Sequence, residues 1–187
     1  MKRIGITGSL ASGKTTASKI LSAKKGPLFS ADLVVNRLYS KKNFKSLLIR
    51  KFKLKNNSNI RYELKKKIFK NQSIIKNLEK IIHPLVRKEM RMFIQKNKSK
   101  SYCFFEIPLL IESKLMKNFD SIIFIKSSKK IRLKRFEKKG GTKRLFQILN
   151  NKQLSDSKKI KHCHHIVVND KNKKILKDKL IFILKKL

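Results

Sequence analysis

Apolar residues follow two rhythms along this chain, and the rhythms alternate. Short runs at Ile4-Gly5-Ile6, Leu28-Phe29-Ser30, Ser101 to Ile107, Ser121 to Ile125 and Ile166-Val167-Val168 read as buried strands. Between them lie stretches patterned for helices. Ala17 to Leu21 continues one, and Leu33 to Tyr39 is a second. Lys129 to Lys138 is a basic amphipathic helix, Arg144 to Asn151 a further one, and Ile175 to Leu187 closes the chain. Strands alternating with helices predict an α/β fold with a parallel sheet of about five strands flanked by helices.

The alternation lapses between residues 41 and 100. Phe44, Leu47, Leu48 and Phe52 recur at helical spacing, as do Ile74, Ile75, Leu78, Ile81 and Ile82. No strand intervenes, and Asn56-Asn57-Ser58-Asn59 separates the two runs. The segment is long for a simple crossover, so it predicts an inserted helical domain. The core is then residues 1–40 and 101–187. His83-Pro84 falls inside the last helical stretch, where proline should kink the helix or start a new one.

The chemistry begins at the first strand. Gly8-Ser9-Leu10-Ala11-Ser12-Gly13-Lys14-Thr15-Thr16 fits G-x-x-x-x-G-K-[ST] over Gly8 to Thr15, between a strand and a helix, as a phosphate-binding loop requires. Backbone N–H groups there point at phosphate oxygens and the helix dipole adds to their pull. Lys14 should reach the β/γ-phosphates, and the Thr15 hydroxyl should be a Mg²⁺ ligand. Lys24-Lys25-Gly26-Pro27 stops the helix, and Asp32 follows the second strand. Ligands of open parallel sheets bind at the carboxyl ends of strands, which would set Asp32 facing the phosphates. Its plainer role is an N-cap for the helix Leu33 to Tyr39. Glu106 ends the Ser101–Ile107 strand just before Pro108-Leu109-Leu110-Ile111-Glu112, a natural place for a second Mg²⁺ carboxylate. The basic segment at about 132–155, broken at Gly140-Gly141, suggests a lid over ATP. His162-Cys163-His164-His165 lacks the converging spacing of a zinc site, because adjacent residues entering a strand face opposite ways.

Composition adds one oddity. The 187 residues carry 50 Lys and Arg against 11 Asp and Glu, a formal net charge of +39. Such charge points first to nucleic acid. Yet the lysines are dispersed, Phe104, Phe105 and Phe124 sit in apolar strands, and Lys, Asn, Ile and Phe are common together, as in an A/T-rich genome. Nucleic-acid binding is therefore expected to be non-specific. No run of about 18 apolar residues could span a membrane. The chain enters its first strand at once, leaving no room for a signal peptide, and two cysteines make no disulfide framework. A cytoplasmic monomer is expected.

Taken together, the loop, the acid after the second strand, the helical insertion and the basic lid describe a small-molecule phosphotransferase. Spacing alone does not name the acceptor: a nucleoside monophosphate kinase would keep Lys14 and Asp32, and a P-loop nucleic-acid binder would use the charge directly. The ordered motifs, however, resemble those of the dephospho-CoA kinase family over essentially the whole chain. The likeness is carried by Ile6 to Thr16, Ser30-Ala31-Asp32, His83-Pro84, Glu106 to Glu112, and Gln153 followed by Ile166-Val167-Val168-Asn169. It implies transfer of the ATP γ-phosphate to the ribose 3′-hydroxyl of dephospho-CoA, with Mg²⁺. It also implies a nucleotide-binding core, a helical CoA-binding domain and a lid. By that resemblance Asp32 is the general base or orienting acid, Arg135 or Arg144 the lid arginine, and Asn169 a neighbour of the adenine. His83, Glu106, Pro108 and Leu109 join Asp32 in binding the acceptor. Two glycines usual in the family's loop are Ser9 and Ala11 here, side chains that fit if the backbone there keeps negative φ. Lys139 stands where an arginine is usual.

Overall fold

The computed structural model describes residues 1–23, 25–55, 59–71 and 73–187. Lys24 of the expected helix stop and Asn56-Asn57-Ser58 of the expected break lie outside them. The chain forms two compact units, one of residues 1–30 with 96–187 and one of residues 31–95.

The first unit is built on a five-stranded parallel sheet. Its strands are β1 (Lys2–Gly8), β2 (Leu28–Ser30), β3 (Tyr102–Glu106), β4 (Ser121–Lys126) and β5 (His165–Val168). Their order in the sheet is β2-β3-β1-β4-β5, so the strand that feeds the glycine loop is central. Ile4 pairs with Phe104 on one side and Ser121 on the other, and Ile6 with Glu106 and Ile123. Strands enclosed on both faces must be apolar throughout, which is why β1, β3 and β4 read as unbroken apolar runs. The edge strand β5 differs: Val167 is buried, while Ile166 and Val168 face outward.

One face of the sheet presents Ile4, Ile6, Phe104, Ile123, Ile125 and Val167. They pack against Ala17 and Leu21 of α1 (Lys14–Ser22) and Leu176, Leu180 and Ile183 of the closing helix, Lys173–Leu184. Each large apolar side chain fully buried this way contributes about 1.5–3 kcal/mol relative to exposure. The other face is aromatic. Phe105 meets Phe119 edge-on at 5.3 Å and Phe29 at 5.9 Å. Gly5 is a glycine because the Pro108–Leu115 turn lies directly over it; a Cβ there would come within 2.8 Å of Leu110 Cδ1 and 3.2 Å of Phe119 Cγ.

The second unit holds α2 (Ala31–Ser40), α3 (Lys42–Phe52), α4 (Ile60–Lys70) and nearly all of α5 (Ser73–Lys96). Its core is Val34, Leu38, Phe44, Leu48, Phe52, Leu54, Ile60, Leu64 and Met90. Asn59 caps α4 by accepting from Arg61 and Tyr62 N–H, and Lys67 donates to the end carbonyls Phe52 and Lys53 at 2.8 and 3.2 Å. The contacts thus group α2 with the helical unit, which begins ten residues earlier than the periodicity suggested. Pro84 neither ends nor restarts a helix: α5 runs through it as one 24-residue element.

Two short elements have no counterpart in the hydrophobic pattern, the 3₁₀ turn Met116–Asn118 and a five-residue helix at Asp156–Ile160. The basic helix at Lys129–Glu137, α6, buries Arg132 where an amphipathic helix would bury an aliphatic row.

The packing over Gly5 generates a stability prediction. Gly5→Val overfills a site already in contact and should lower the unfolding free energy by about 1–3 kcal/mol, read as a lower urea midpoint. An unchanged midpoint would show that the turn over the sheet yields freely.

Candidate active site

The loop between β1 and α1 is closed on itself by its own lysine. Lys14 is buried, and its ammonium donates to the carbonyls of Gly8 at 3.0 Å and Ser9 at 2.9 Å. Gly13 takes φ +97°, and a Cβ there would lie 2.2 Å from Asn169 Nδ2, so glycine is required twice over. Ala11 also adopts positive φ, at 58°. The condition of negative φ, under which the loop's substituted side chains fit without strain, is not met at this residue. The left-handed region brings an alanine Cβ close to the following carbonyl, at about 1–2 kcal/mol.

Contacts from outside the loop hold this shape. Ser9 Oγ donates to Asp156, and Leu10 N–H donates to Gln153 Oε1 at 3.1 Å. Arg132 Nη1 donates to the Leu10 carbonyl at 3.4 Å and to Asn150 Oδ1 at 2.8 Å, with its guanidinium carbon 5.6 Å from the Phe146 ring centre. Ser12 O accepts from Asn169 Nδ2 at 2.8 Å and from Arg135 Nη1 at 3.3 Å. Arg135 Nη2 reaches the Asn169 carbonyl at 3.0 Å. Asp170 accepts from Ser127 Oγ and Ser128 N–H, bonds that hold its carboxyl below the usual range, and Ser127 Oγ in turn accepts from Arg135.

At the helix start, Thr15 Oγ1 donates to Glu106 Oε1 at 2.5 Å, and Glu106 is 2% exposed. A hydroxyl and a carboxylate that converge are hard oxygen donors of the kind Mg²⁺ takes, so the residues fit that ion. Thr16 is exposed on the next position of α1. Pro108 accepts from Thr7 Oγ1 at 3.1 Å, and Leu109 is half-buried in the same turn.

The remaining expected residues belong to the helical unit. Asp32 is exposed in the first turn of α2, which begins at Ala31; it is therefore inside the helix and not its N-cap. It stands two residues after Ser30, which is paired in register with Glu106. His83 is half-buried in α5. The same unit carries a cleft of about 740 Å³ whose lining includes Asn36, Tyr39, Lys42, Lys45, Ile49 and Arg61. Arg61 lies 4.6 Å from the Tyr39 ring centre and donates to Asn36 at 2.8 Å.

The histidine-cysteine run has structural work of its own. His164 Nδ1 accepts from Ile122 N–H at 3.0 Å, and Cys163 Sγ donates to the Lys159 carbonyl at 3.3 Å. Among the described residues, no group of three or more His, Cys, Asp or Glu could hold a metal ion. Likewise, no described helix is long and apolar enough to cross a membrane.

Sequence reasoning missed Arg132, Asp156 and Lys159, and it took Gln153 only as part of a motif. Arg132 and Lys159 had no signal, being two basic residues among 50. Asp156 could have been found: it follows Ser155, an N-cap residue type, and is one of only 11 acids.

A central strand that delivers a glycine loop to a helix N-terminus, within a parallel sheet ordered β2-β3-β1-β4-β5, defines the P-loop kinase-like α/β class. The known proteins agree. A family model described as dephospho-CoA kinase matches residues 2–174. The dephospho-CoA kinase of Bartonella henselae is 31% identical over 100% of this chain and 98% of its own, and that of Bartonella quintana 34% identical over 92% and 91%. Among solved structures, a Thermus thermophilus protein superposes with a TM-score of 0.80, and a Campylobacter jejuni dephospho-CoA kinase with 0.68. Each is 24% identical and matches over 100% of this chain and 97% of its own. The chain belongs to the dephospho-CoA kinase family.

Two outcomes follow from the site's geometry. Ala11→Gly relieves the positive φ and should stabilise the fold by up to about 1 kcal/mol, net of glycine's greater freedom when unfolded; urea titration reads this. Burial pushes the Cys163 thiol up to about 11 and holds Cys103 above its usual value as well. At pH 8 the native thiols should react with a disulfide reagent at least about tenfold more slowly than free cysteine. Equal rates would contradict the burial.

Proposed function

We propose that the chain transfers the γ-phosphate of ATP to the ribose 3′-hydroxyl of dephospho-CoA, the final step of coenzyme A synthesis. Membership of the dephospho-CoA kinase family makes it an ATP-dependent phosphotransferase. The observation that carries the reading is the closed loop: a buried ammonium held by the backbone carbonyls of Gly8 and Ser9, with a hydroxyl–carboxylate pair at the start of the helix.

In this reading Gly8 through Thr16 hold the ATP phosphates, and Lys14 exchanges its carbonyl partners for β/γ-phosphate oxygens. Mg²⁺, when bound, neutralises phosphate charge, and Thr15 and Glu106 would hold it. Asp32 orients the acceptor hydroxyl and takes its proton. The hydroxyl oxygen bonds to the γ-phosphorus, the bond from that phosphorus to the β–γ bridging oxygen breaks, and ADP leaves. Chain connectivity supports this role for Asp32, since it follows the carboxyl end of a strand paired with β3.

Arg135 is our candidate for stabilising charge on the moving phosphoryl group. It would have to release the Ser12 and Asn169 carbonyls to do so. Arg144, exposed at the start of the helix Lys143–Asn151, is the other lid arginine. The lid is the basic segment around Gly140, and Asn169 lies beside the adenine. His83, Pro108 and Leu109 contact the acceptor, and the cationic cleft of Lys42, Lys45 and Arg61 suits its diphosphate. The protein works as a cytoplasmic monomer, and its charge of +39 draws nucleic acid only non-specifically.

Lys14→Ala should lose at least about two to three orders of magnitude in kcat, as removal of a preorganised electrostatic group does. Asp32→Asn should lower kcat by about 10²–10⁴-fold while ATP binding is retained. Steady-state ADP release with dephospho-CoA, run beside a panel of nucleoside monophosphates, measures both. An unchanged kcat in Asp32→Asn would remove it from the reaction, and preferential use of a nucleoside monophosphate would overturn the acceptor.

A further inference from the structure

Behind the phosphate-binding loop lies a buried polar relay that the transfer reaction does not use directly. Lys159, in the helix Asp156–Ile160, is 0% exposed. Its ammonium sits 2.8 Å from Glu112 Oε1 and 3.4 Å from Gln153 Oε1. Gln153 Oε1 also accepts from Leu10 N–H at 3.1 Å, and Glu112 Oε1 accepts from Leu154 N–H at the same distance. The relay therefore runs from the turn after β3, through a buried ion pair and an amide, to the backbone of the loop.

Stability alone is a poor reason for this pair. Burying two opposite charges is generally matched or bettered by apolar residues of the same volume. Here, moreover, Glu112 Oε2 is buried with no hydrogen-bond partner. The chemistry of the amide gives a better one. Gln153 can present either its oxygen or its NH₂ to the loop, and only the oxygen can accept from Leu10 N–H. An ammonium has donors and no acceptor, so Lys159 holds the same oxygen and rejects the flipped amide. The loop needs such support: Leu10 lies between the two positions where side chains replace the family's glycines, and the next residue, Ala11, is at positive φ.

We propose that Lys159 is a positioning residue for ATP binding. Paired with Glu112, it fixes the Gln153 amide so that Leu10 N–H is held back and the loop keeps the form that receives a triphosphate. The inference rests on the proposed function only in taking ATP as the ligand.

The test is the affinity for Mg·ATP, measured by displacement of a fluorescent ATP analogue from the whole chain, with thermal melting and KM for dephospho-CoA alongside. Lys159→Met should weaken ATP binding about tenfold, the loss of roughly one well-made hydrogen bond. KM for dephospho-CoA should not move. Gln153→Met, at a half-buried position and without change of charge, should produce the same loss with little change in melting temperature. The double variant should be no weaker than either single one, because both break one relay. A lowered melting temperature with ATP affinity within twofold of the parent would reduce Lys159 to a structural residue and overturn the proposal, as would losses that add in the double variant. If Lys159→Met fails to fold, Gln153→Met decides alone: affinity within twofold overturns the proposal. Failure of the parent protein to phosphorylate dephospho-CoA would sink the acceptor assignment and leave this binding test intact.

Discussion

Everything in the nucleotide half of the molecule depends on keeping one ammonium inside a loop of backbone. Lys14 is buried, and an ammonium removed from water is tolerated only where oxygen atoms surround it. The carbonyls of Gly8 and Ser9 supply them, and in doing so they fold the loop over its own lysine. That arrangement needs a strand that ends abruptly, a left-handed glycine at position 13, and a helix that begins at the lysine itself. The central place of β1 in the sheet fixes all three, because both neighbouring strands hold it in register. On the proposed reading, phosphate oxygens would replace the carbonyls at little cost in reorganisation.

The loop carries side chains where its family tends to have glycine, and the structure compensates from outside. Asp156 bonds Ser9, Gln153 and Arg132 take the N–H and carbonyl of Leu10, and Asn169 and Arg135 share the Ser12 carbonyl. These contacts explain how so basic a chain spends its acids. Of the 11 carboxylates, Glu106 bonds Thr15, Glu112 pairs with Lys159, Asp156 bonds Ser9, and Asp170 fixes the serine that steadies Arg135.

Much of this was legible in the sequence, for definite physical reasons. The strands β1, β3 and β4 were visible because a parallel sheet buries both their faces and leaves unbroken apolar runs, and the edge strands β2 and β5 because their short apolar runs alternate with helical stretches. The loop was visible because its glycines and lysine have fixed spacing. The helix Asp156–Ile160 was not, since five residues with one apolar side chain carry no periodicity, and the continuous α5 was not, because local preference gives a proline the power to break a helix. Lys159 and Arg132 were hidden by composition: in a chain with 50 cations, a buried one looks like every other until its neighbours are known. Ala11 shows the remaining gap. The sequence poses the condition of negative φ for a side chain there, and only the folded loop shows Ala11 at φ 58°.

The most direct measurement is ³¹P NMR of the purified protein mixed with ATP, Mg²⁺ and dephospho-CoA. Transfer at this site predicts that the γ-phosphate signal is lost in step with a new phosphomonoester on the acceptor's ribose, with one ADP formed per phosphate moved. Release of free phosphate with the acceptor unchanged, or no consumption of ATP, would contradict it.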